Sequence, residues 1–183
     1  MKIHQYKKIG MIVIFVVLLC GLYGYYCMSE KGPIYEFNSK RDTAAILNLF
    51  DKNWYWLIAN ESSSPSFYLK YRTPNENPAY FGKLQVKVMR ENNELVGFVA
   101  YYKEKPEEEE WRLLFLAVDE KFRGKGYGST LAEYAMQDMI KQGAKKIGLW
   151  TRLSNPAQRI YKRLGFVELY YTEGGYIYFE YYP

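Results

Sequence analysis

The stretch Arg123-Gly124-Lys125-Gly126-Tyr127-Gly128 decides how the rest of this 183-residue chain is interpreted. An apolar run before it predicts a strand over 113–118, and an amphipathic run after it predicts a helix over about 129–142. Glycines let the backbone turn tightly with its N–H groups directed at one point, and a helix N-terminus adds roughly half a positive charge there. Because Arg123 and Lys125 add two cations at its rim, the loop is predicted to bind an anion, most readily a diphosphate.

The spacing of the glycines excludes two common phosphate sites. A Walker loop requires Gly-Lys-Ser/Thr, whereas Gly128 is followed directly by Ser129. A dinucleotide-binding fingerprint requires Gly-x-Gly-x-x-Gly, whereas these glycines lie at 124, 126 and 128. The spacing does match Arg/Gln-x-x-Gly-x-Gly/Ala, and in this the chain resembles the GNAT superfamily of N-acetyltransferases, whose members bind the pyrophosphate of acyl-CoA with this pattern.

The resemblance to these enzymes extends beyond the loop. The run Leu116-Ala117-Val118 precedes it, and the segment from Asn155 to Phe166 follows the next helix, all in the order such enzymes show. Roughly residues 34–182 can be laid on that fold. The resemblance implies one α/β domain of the α+β type, in which a central mixed sheet of six to seven strands is flanked by about four helices.

Hydrophobic periodicity predicts strands and helices in the same order. Ser39 and Asp42 suggest a capping box at the first helix, and Asn155 is predicted to cap the last helix with Pro156 at its first position. Helices are predicted at 39–50, 54–59 and 129–142 and after Asn155, and strands at 34–37, 84–90, 95–103, 111–118, 146–151, 166–171 and 176–182.

The resemblance also assigns the residues that bind acetyl-CoA, which is the co-substrate of these enzymes. The backbone of Leu116, Ala117 and Val118 would pair with the pantetheine arm as a pseudo-strand, with the Val118 N–H facing the thioester oxygen. As apolar residues of a central strand, Leu116 and Val118 are equally explained as sheet core. The diphosphate would lie on the loop, contacting Arg123, Gly124, Lys125, Gly126, Tyr127 and Gly128.

Asn155 is a further candidate contact of the co-substrate. Family members usually carry the contacting Asn seven positions before the Tyr, and in this chain Ser154 stands there. A capping role alone also explains Asn155. Both functions therefore stay open for this residue.

Tyr161 matches the Tyr-x-x-x-Gly-Phe pattern in which the family places the general acid for the departing thiolate. A phenol with a pKa of about 10 is protonated at neutral pH and can donate that proton. In a chain with 20 tyrosines, packing under a helix is the alternative explanation.

The general base is less well marked. Some members carry a Glu early in the central strand, but this chain has Arg112 there, so Glu110, two residues earlier, is the candidate. Glu110 also ends the acidic run 107–110, which predicts a solvated loop. Water relays serve as the base in many such enzymes.

Composition narrows the chemistry available to residues 29–183. The single histidine, His4, and both cysteines, Cys20 and Cys27, precede this region, so its catalysis must proceed without imidazole or thiol, and no metal site is predicted. The region carries 22 of the 25 basic residues and all 20 acidic ones. This near balance implies no nucleic-acid partner.

The N-terminus predicts a membrane anchor. Residues 9–28 carry no charge, and 20 residues rising about 1.5 Å each span a hydrocarbon core of roughly 30 Å. Lysines in the basic flank 1–8 precede the run, and tyrosines gather at its far end. A cleaved secretory signal is the alternative, although no small-x-small cleavage site follows. The predicted organisation is therefore a flank at 1–8, a transmembrane helix at 9–28 and the acetyltransferase domain at 29–183.

The orientation of this single-pass anchor is not fixed by charge. Lys2, Lys7 and Lys8 on one side are nearly balanced by Lys31, Lys40 and Arg41 on the other. Because acetyl-CoA is supplied in the cytoplasm, a cytoplasm-facing domain is favoured.

Three functions fit these observations. The first is an acetyl-CoA-dependent N-acetyltransferase that moves an acetyl group to a small-molecule or peptide amine by direct attack on the thioester. The second is a non-catalytic acyl-CoA-binding or sensor module, which the missing Glu and the shifted Asn favour. The third is an acyltransferase acting on a membrane or cell-wall component, which the anchor favours.

Overall fold

The computed structural model describes residues 33–57 and 84–183, and every structural statement concerns these two ranges. The predicted flank 1–8 and the predicted transmembrane helix 9–28 lie outside them. Within the two ranges, no helix is long and apolar enough to cross a membrane.

Seven strands of the described ranges form one sheet in the order β1-β2-β3-β4-β5-β7-β6. Neighbouring strands are antiparallel except β4 and β5, which are parallel, so the sheet is mixed as predicted. Four α-helices of the described ranges accompany the sheet, in agreement with the predicted α/β domain. The strands are β1 (Ile34–Glu36), β2 (Gln85–Glu91), β3 (Glu94–Lys105), β4 (Glu110–Val118), β5 (Lys146–Arg152), β6 (Val167–Tyr171) and β7 (Tyr176–Tyr181), and the helices are α1 (Ser39–Lys52), α2 (Trp54–Leu57), α3 (Tyr127–Lys141) and α4 (Gln158–Arg163).

The two faces of the sheet carry separate apolar cores, and a bulge in β4 exchanges its side chains between them. Trp111 and Leu113 belong to the core that also contains residues of α3, whereas Phe115 and Ala117 belong to the core that contains residues of α1. The pairing of β4 with β3 skips Leu114, and one extra residue moves the following side chains to the opposite face. As a result Leu116 and Val118 pack beside the α3 core.

The N-cap of α1 and the first residue of α3 differ from the prediction. The N-cap of α1 is Asn38 rather than Ser39, because its side-chain oxygen accepts from the N–H groups of Lys40 and Arg41 at 3.1 and 3.2 Å. Asp42 completes the reciprocal arrangement by accepting from the Asn38 N–H at 2.8 Å. Helix α3 begins at Tyr127, two residues before the predicted start.

The last helix begins later than predicted. Asn155 and Pro156 lie in a turn, and α4 starts at Gln158. Asn155 does cap this turn, because its side-chain oxygen accepts from the Ala157 N–H at 2.9 Å. The predicted end is confirmed, since Gly165 has a φ of 90° and the Phe166 N–H returns to the Tyr161 carbonyl at 3.0 Å.

Candidate active site

A gap opens between the two parallel strands in the middle of the sheet. β4 and β5 pair only over Glu110–Arg112 and Lys146–Gly148, at the start of both strands. Beyond Arg112, no strand of the described ranges pairs with this edge of β4. Among the described residues, the N–H groups of this edge have no strand partner, so they can pair with an extended ligand that adds to the sheet as a strand would.

The pairing of β4 with β3 determines which groups face this gap. The N–H of Asp119 donates to the Val96 carbonyl at 2.9 Å, so it points toward β3. In an antiparallel ladder, successive residues direct their backbone polar groups to opposite sides. Ala117 therefore points toward β3, while Leu116 and Val118 point their N–H groups into the gap. The sheet thus presents two parallel donors at the end of β4.

Two glycines in left-handed conformation turn the chain from β4 into α3. Gly124 and Gly126 have φ values of 80° and 85°, which a residue with a β-carbon adopts only at a cost. Gly126 is the N-cap of α3, and it supplies no side-chain cap. No acidic residue lies in the first turn of this helix. The N–H groups of that turn and the positive end of the helix dipole therefore suit an anion.

Tyr127 and Lys125 serve this loop in different ways. The ring of Tyr127 is buried against Phe122, and its hydroxyl donates to Glu91 at 3.0 Å. Tyr127 thus anchors the loop and can offer an anion only its backbone. Lys125 is exposed, and its Nζ lies 5.6 Å from the Phe122 ring centroid.

Arg123 is held more tightly than the sequence indicates. Its Nε donates to the Val118 carbonyl at 3.2 Å, and its Nη2 donates to the side-chain oxygen of Asn53 at 2.7 Å. Asn53 follows α1 directly and is 6 % exposed. No sequence motif marked Asn53, because its contact is 70 residues away along the chain.

The start of α3, the end of β4 and α4 meet at Gly128. A β-carbon placed on Gly128 would lie 3.1 Å from Ile160 Cδ1 and 3.7 Å from Val118 Cγ2. The structure therefore brings the predicted diphosphate loop, the open donors of β4 and the helix that carries Tyr161 into one region.

Tyr161 lies in the apolar core that also contains residues of α3. It is 5 % exposed, and its ring lies 6.0 Å from the rings of both Phe166 and Phe179. Burial raises the pKa of its hydroxyl, so the phenol remains protonated well above neutral pH. No residue of the described ranges forms a hydrogen bond with this hydroxyl that would compete for its proton.

Asn155, by contrast, already uses its side-chain oxygen. That oxygen accepts from the Ala157 N–H, which leaves its second lone pair and the amide nitrogen for a ligand. The capping explanation accounts for the geometry of this residue.

The candidate base Glu110 does not join the site. It is the first residue of β4 and not part of a solvated loop, and its carboxylate accepts from Lys146 Nζ at 2.5 Å. A nine-residue strand separates it from Val118 by roughly 26 Å. The acidic run suggested solvation because the tertiary partner of Glu110 lies on β5, far along the chain.

Arg112, at the position where some relatives carry a Glu, is committed to structure. Its guanidinium pairs with Glu104 and lies 5.0 Å from the Tyr178 ring centroid. No group of three or more His, Cys, Asp or Glu side chains in the described part of the chain could hold a metal ion.

The comparison with known families agrees with this geometry. The model of the acetyltransferase (GNAT) family matches residues 43–166, about two thirds of the chain. An uncharacterized N-acetyltransferase of Methanocaldococcus jannaschii is 32 % identical over 132 residues. That match covers 68 % of this chain and 53 % of the relative, so the chain spans about half of the relative's length.

Solved structures support the fold. The ribosomal-protein-alanine N-acetyltransferase of Brucella melitensis superposes with a TM-score of 0.67 at 17 % identity, covering 82 % of this chain and 99 % of that one. The PaiA N-acetyltransferase of Thermoplasma acidophilum, solved in complex with coenzyme A, gives a TM-score of 0.62 at 18 % identity, covering 82 % and 98 %.

Proposed function

Since this chain belongs to the GNAT acetyltransferase family, we propose that it is an acetyl-CoA-dependent N-acetyltransferase that acts by direct transfer. The observation that carries the proposal is the open edge of β4, which leads into the glycine loop and the uncapped start of α3. An extended arm that ends in a diphosphate fits this arrangement. The arm would pair with the gap-facing backbone of β4, and the diphosphate would accept from the loop and helix N–H groups.

The proposed reaction forms one C–N bond and breaks one C–S bond. A neutral amine attacks the thioester carbon, the carbonyl oxygen gains negative charge, and the bond to sulfur then breaks. The Val118 N–H, which points into the gap, is the proposed donor to that oxygen. The amine loses a proton to water, the departing thiolate takes one from Tyr161, and a proton from water then restores the Tyr161 hydroxyl, so that the net products are an amide and a free thiol.

Burial raises the pKa of the Tyr161 hydroxyl, so its proton is available at neutral pH, although the same shift makes it a weaker acid than a free phenol. A free thiol has a pKa near 8.5, so a thiolate is more basic than water and benefits from a positioned donor. A water-mediated base for the amine agrees with the position of Glu110, which the ion pair with Lys146 holds at the far end of β4.

The acceptor proposed here is a small-molecule or peptide amine. We further propose that residues 9–28 tether the enzyme to a membrane, with the domain facing the cytoplasm, where acetyl-CoA is available. Arg112 supports a second candidate function, that of a non-catalytic acyl-CoA-binding module. The cation at that position and its pairing with Glu104 would equally suit a module that binds acyl-CoA without turning it over.

Substitution of Gly126 tests the proposed co-substrate site. Gly126→Asp places a β-carbon on a residue with a φ of 85° and adds a negative charge at the start of α3. We expect acetyl-CoA affinity to fall at least 100-fold in calorimetric titration, because both the loop geometry and its positive potential are lost.

Gly175→Asp is the matched control for this experiment. Gly175 has a φ of 76° in the turn between β6 and β7, and a β-carbon there meets nothing within 4 Å. Gly175→Asp introduces comparable backbone strain and the same charge, but away from the glycine loop 123–128. The acetyl-CoA affinity of this variant should therefore equal that of the wild type. Unchanged affinity in folded Gly126→Asp would refute the co-substrate assignment. Thiol release from acetyl-CoA with a set of amines then separates an enzyme from a binding module.

A further inference from the structure

Asn53 joins three elements through its side-chain amide and its backbone carbonyl. Its side-chain nitrogen donates to the Leu49 carbonyl of α1 at 2.8 Å, and its side-chain oxygen accepts from Arg123 at 2.7 Å. Its own carbonyl accepts from the Trp56 N–H at 2.9 Å at the start of α2. Asn53 is therefore the point at which the corner between α1 and α2 meets the glycine loop.

Arg123 extends this connection to the end of β4. Through Nη2 it is held by Asn53, and through Nε it holds the Val118 carbonyl at 3.2 Å. Val118 is the last residue of β4 and directs its N–H into the gap. Two hydrogen bonds in series thus connect the buried Asn53 with the strand end that faces the ligand.

We propose that Asn53 is a positioning residue, which acts through Arg123 to hold the end of β4 and the start of the diphosphate loop in the geometry that binds acetyl-CoA. The inference rests on the proposed function. Ordering one backbone residue costs on the order of 1–2 kcal/mol, so a loop that is fixed before binding gives higher affinity than one that must be ordered by the ligand. Asn53 supplies this order without touching the ligand.

A double-mutant cycle tests whether Asn53 acts through Arg123. Calorimetric titration with acetyl-CoA is applied to the wild type, Asn53→Ala, Arg123→Ala and the double variant. We expect Asn53→Ala to lower the affinity about tenfold, in line with the loss of one hydrogen bond to a charged group. Arg123→Ala should lower it further, because a cation is also lost. The double variant should match Arg123→Ala alone, since residues that act in series are not additive.

Two further variants separate positioning from simple support of the helix end. Asn53→Asp keeps an acceptor for Arg123 but cannot donate to the Leu49 carbonyl. We expect it to retain affinity within threefold of the wild type even where its thermal midpoint falls. Asn48→Ala is the matched control, because Asn48 lies exposed on α1 and its side chain forms no hydrogen bond within the described ranges. The acetyl-CoA affinity of this variant should not change.

Each contrary result has a distinct meaning. Multiplicative losses in the double variant, or Asn53→Ala with wild-type affinity, would overturn the positioning role alone. An Asn53→Asp variant as weak as Asn53→Ala would assign the effect to the Leu49 contact and would also overturn it. If the wild type fails to bind acetyl-CoA, the proposed function falls first, and this inference falls with it.

Discussion

Substitution of Tyr161 distinguishes an enzyme from a module that only binds acyl-CoA. Tyr161→Phe keeps the ring between Phe166 and Phe179 and removes only the proton donor. General acid catalysis typically contributes about 10²- to 10⁴-fold, so turnover on an acceptor that the wild type acetylates should fall by that order. Acetyl-CoA affinity, measured by titration, should stay within twofold.

The control for this substitution is Tyr181→Phe. The centroid of the Tyr181 ring lies 5.5 Å from that of Phe166, so this substitution removes a different phenol hydroxyl from the same aromatic cluster. It should leave turnover unchanged. The loss in Tyr161→Phe should also shrink with an acyl donor whose thiol leaves more easily. Wild-type turnover in Tyr161→Phe would make Tyr161 a core residue and assign the acid to water.

The pH dependence of turnover provides an independent test of the same hydroxyl. Burial raises the pKa of Tyr161 above its usual value of about 10, so the donor form persists as the pH rises toward that value. We therefore expect kcat to show no alkaline decline from this group up to about pH 10. A decline near pH 8 that disappears in Tyr161→Phe would show that the hydroxyl ionises far below the expected range.

Helix α1 depends on the carboxylate of Asp42, which is fully buried. Burial alone would raise the pKa of Asp42, but hydrogen bonds from Arg41, the Asn38 N–H and Arg90 outweigh it and hold the pKa well below its usual range. Removing one partner of such a network leaves polar groups unpaired. Asp42→Asn should therefore lower the free energy of unfolding at pH 7 by about 2 kcal/mol in urea titration.

The sign of the pH effect follows from the lowered pKa. The unfolded chain binds a proton on Asp42 near pH 3.9, whereas the folded chain binds it only at lower pH. The contribution is thus complete above about pH 5 and is lost as the pH falls through the unfolded-state value toward the folded-state pKa. Asp51→Asn, an exposed position on the same helix, is the control and should change little. Equal stability of Asp42→Asn and wild type at pH 7 would contradict this account.

Local patterns predicted the elements, and contacts distant in the chain explain the differences. Gly165 was predicted to end α4 because a left-handed residue after a helix is a local preference. The bulge at Leu114 was not predicted, because it appears only when β4 pairs with β3. The same reason applies to Glu110, whose partner Lys146 lies on a strand that joins it only in the folded sheet.

The candidate site divides in the same way. The glycine loop could be predicted from the sequence because the backbone at Gly124 and Gly126 is left-handed, a conformation that glycine adopts far more readily than other residues. The open edge of β4 was expected only from the family resemblance and not from periodicity, since it depends on where β4 and β5 stop pairing. Asn53 was not found either, because a single Asn between two helices has no pattern of its own. Sequence thus located the phosphate side of the site, while the structure supplied the residues that brace it.

The architecture of the described domain brings the gap, the glycine loop and α4 together at one opening of the sheet. The sheet separates between β4 and β5, the loop and α3 lie at the end of β4, and α4 approaches from the other half of the sheet. A ligand that bridges the gap would contact both halves. Acetyl-CoA is therefore expected to stabilise the domain as a unit, by an amount set by its concentration relative to Kd.

The last prediction concerns the complete chain and the segment 9–28. Its 20 uncharged residues are long enough to span a bilayer, and they follow three lysines that suit the membrane surface. Full-length protein should sediment with membranes and resist carbonate extraction, because carbonate releases peripheral proteins but leaves inserted helices in the bilayer. A chain beginning at Ser29 should stay in the supernatant and bind acetyl-CoA with the affinity of the full-length protein.

Replacing Val13 and Val16 by lysine in the full-length chain is the matched control, because it keeps the length and removes the continuous apolar run. It should release the protein from the membrane. Mass determination of the N-terminus distinguishes the remaining case. If the product expressed from the full-length sequence is found in the supernatant without residues 1–28, the segment is a cleaved signal. The domain then lies outside the cytoplasm, away from the acetyl-CoA pool that the proposed reaction requires.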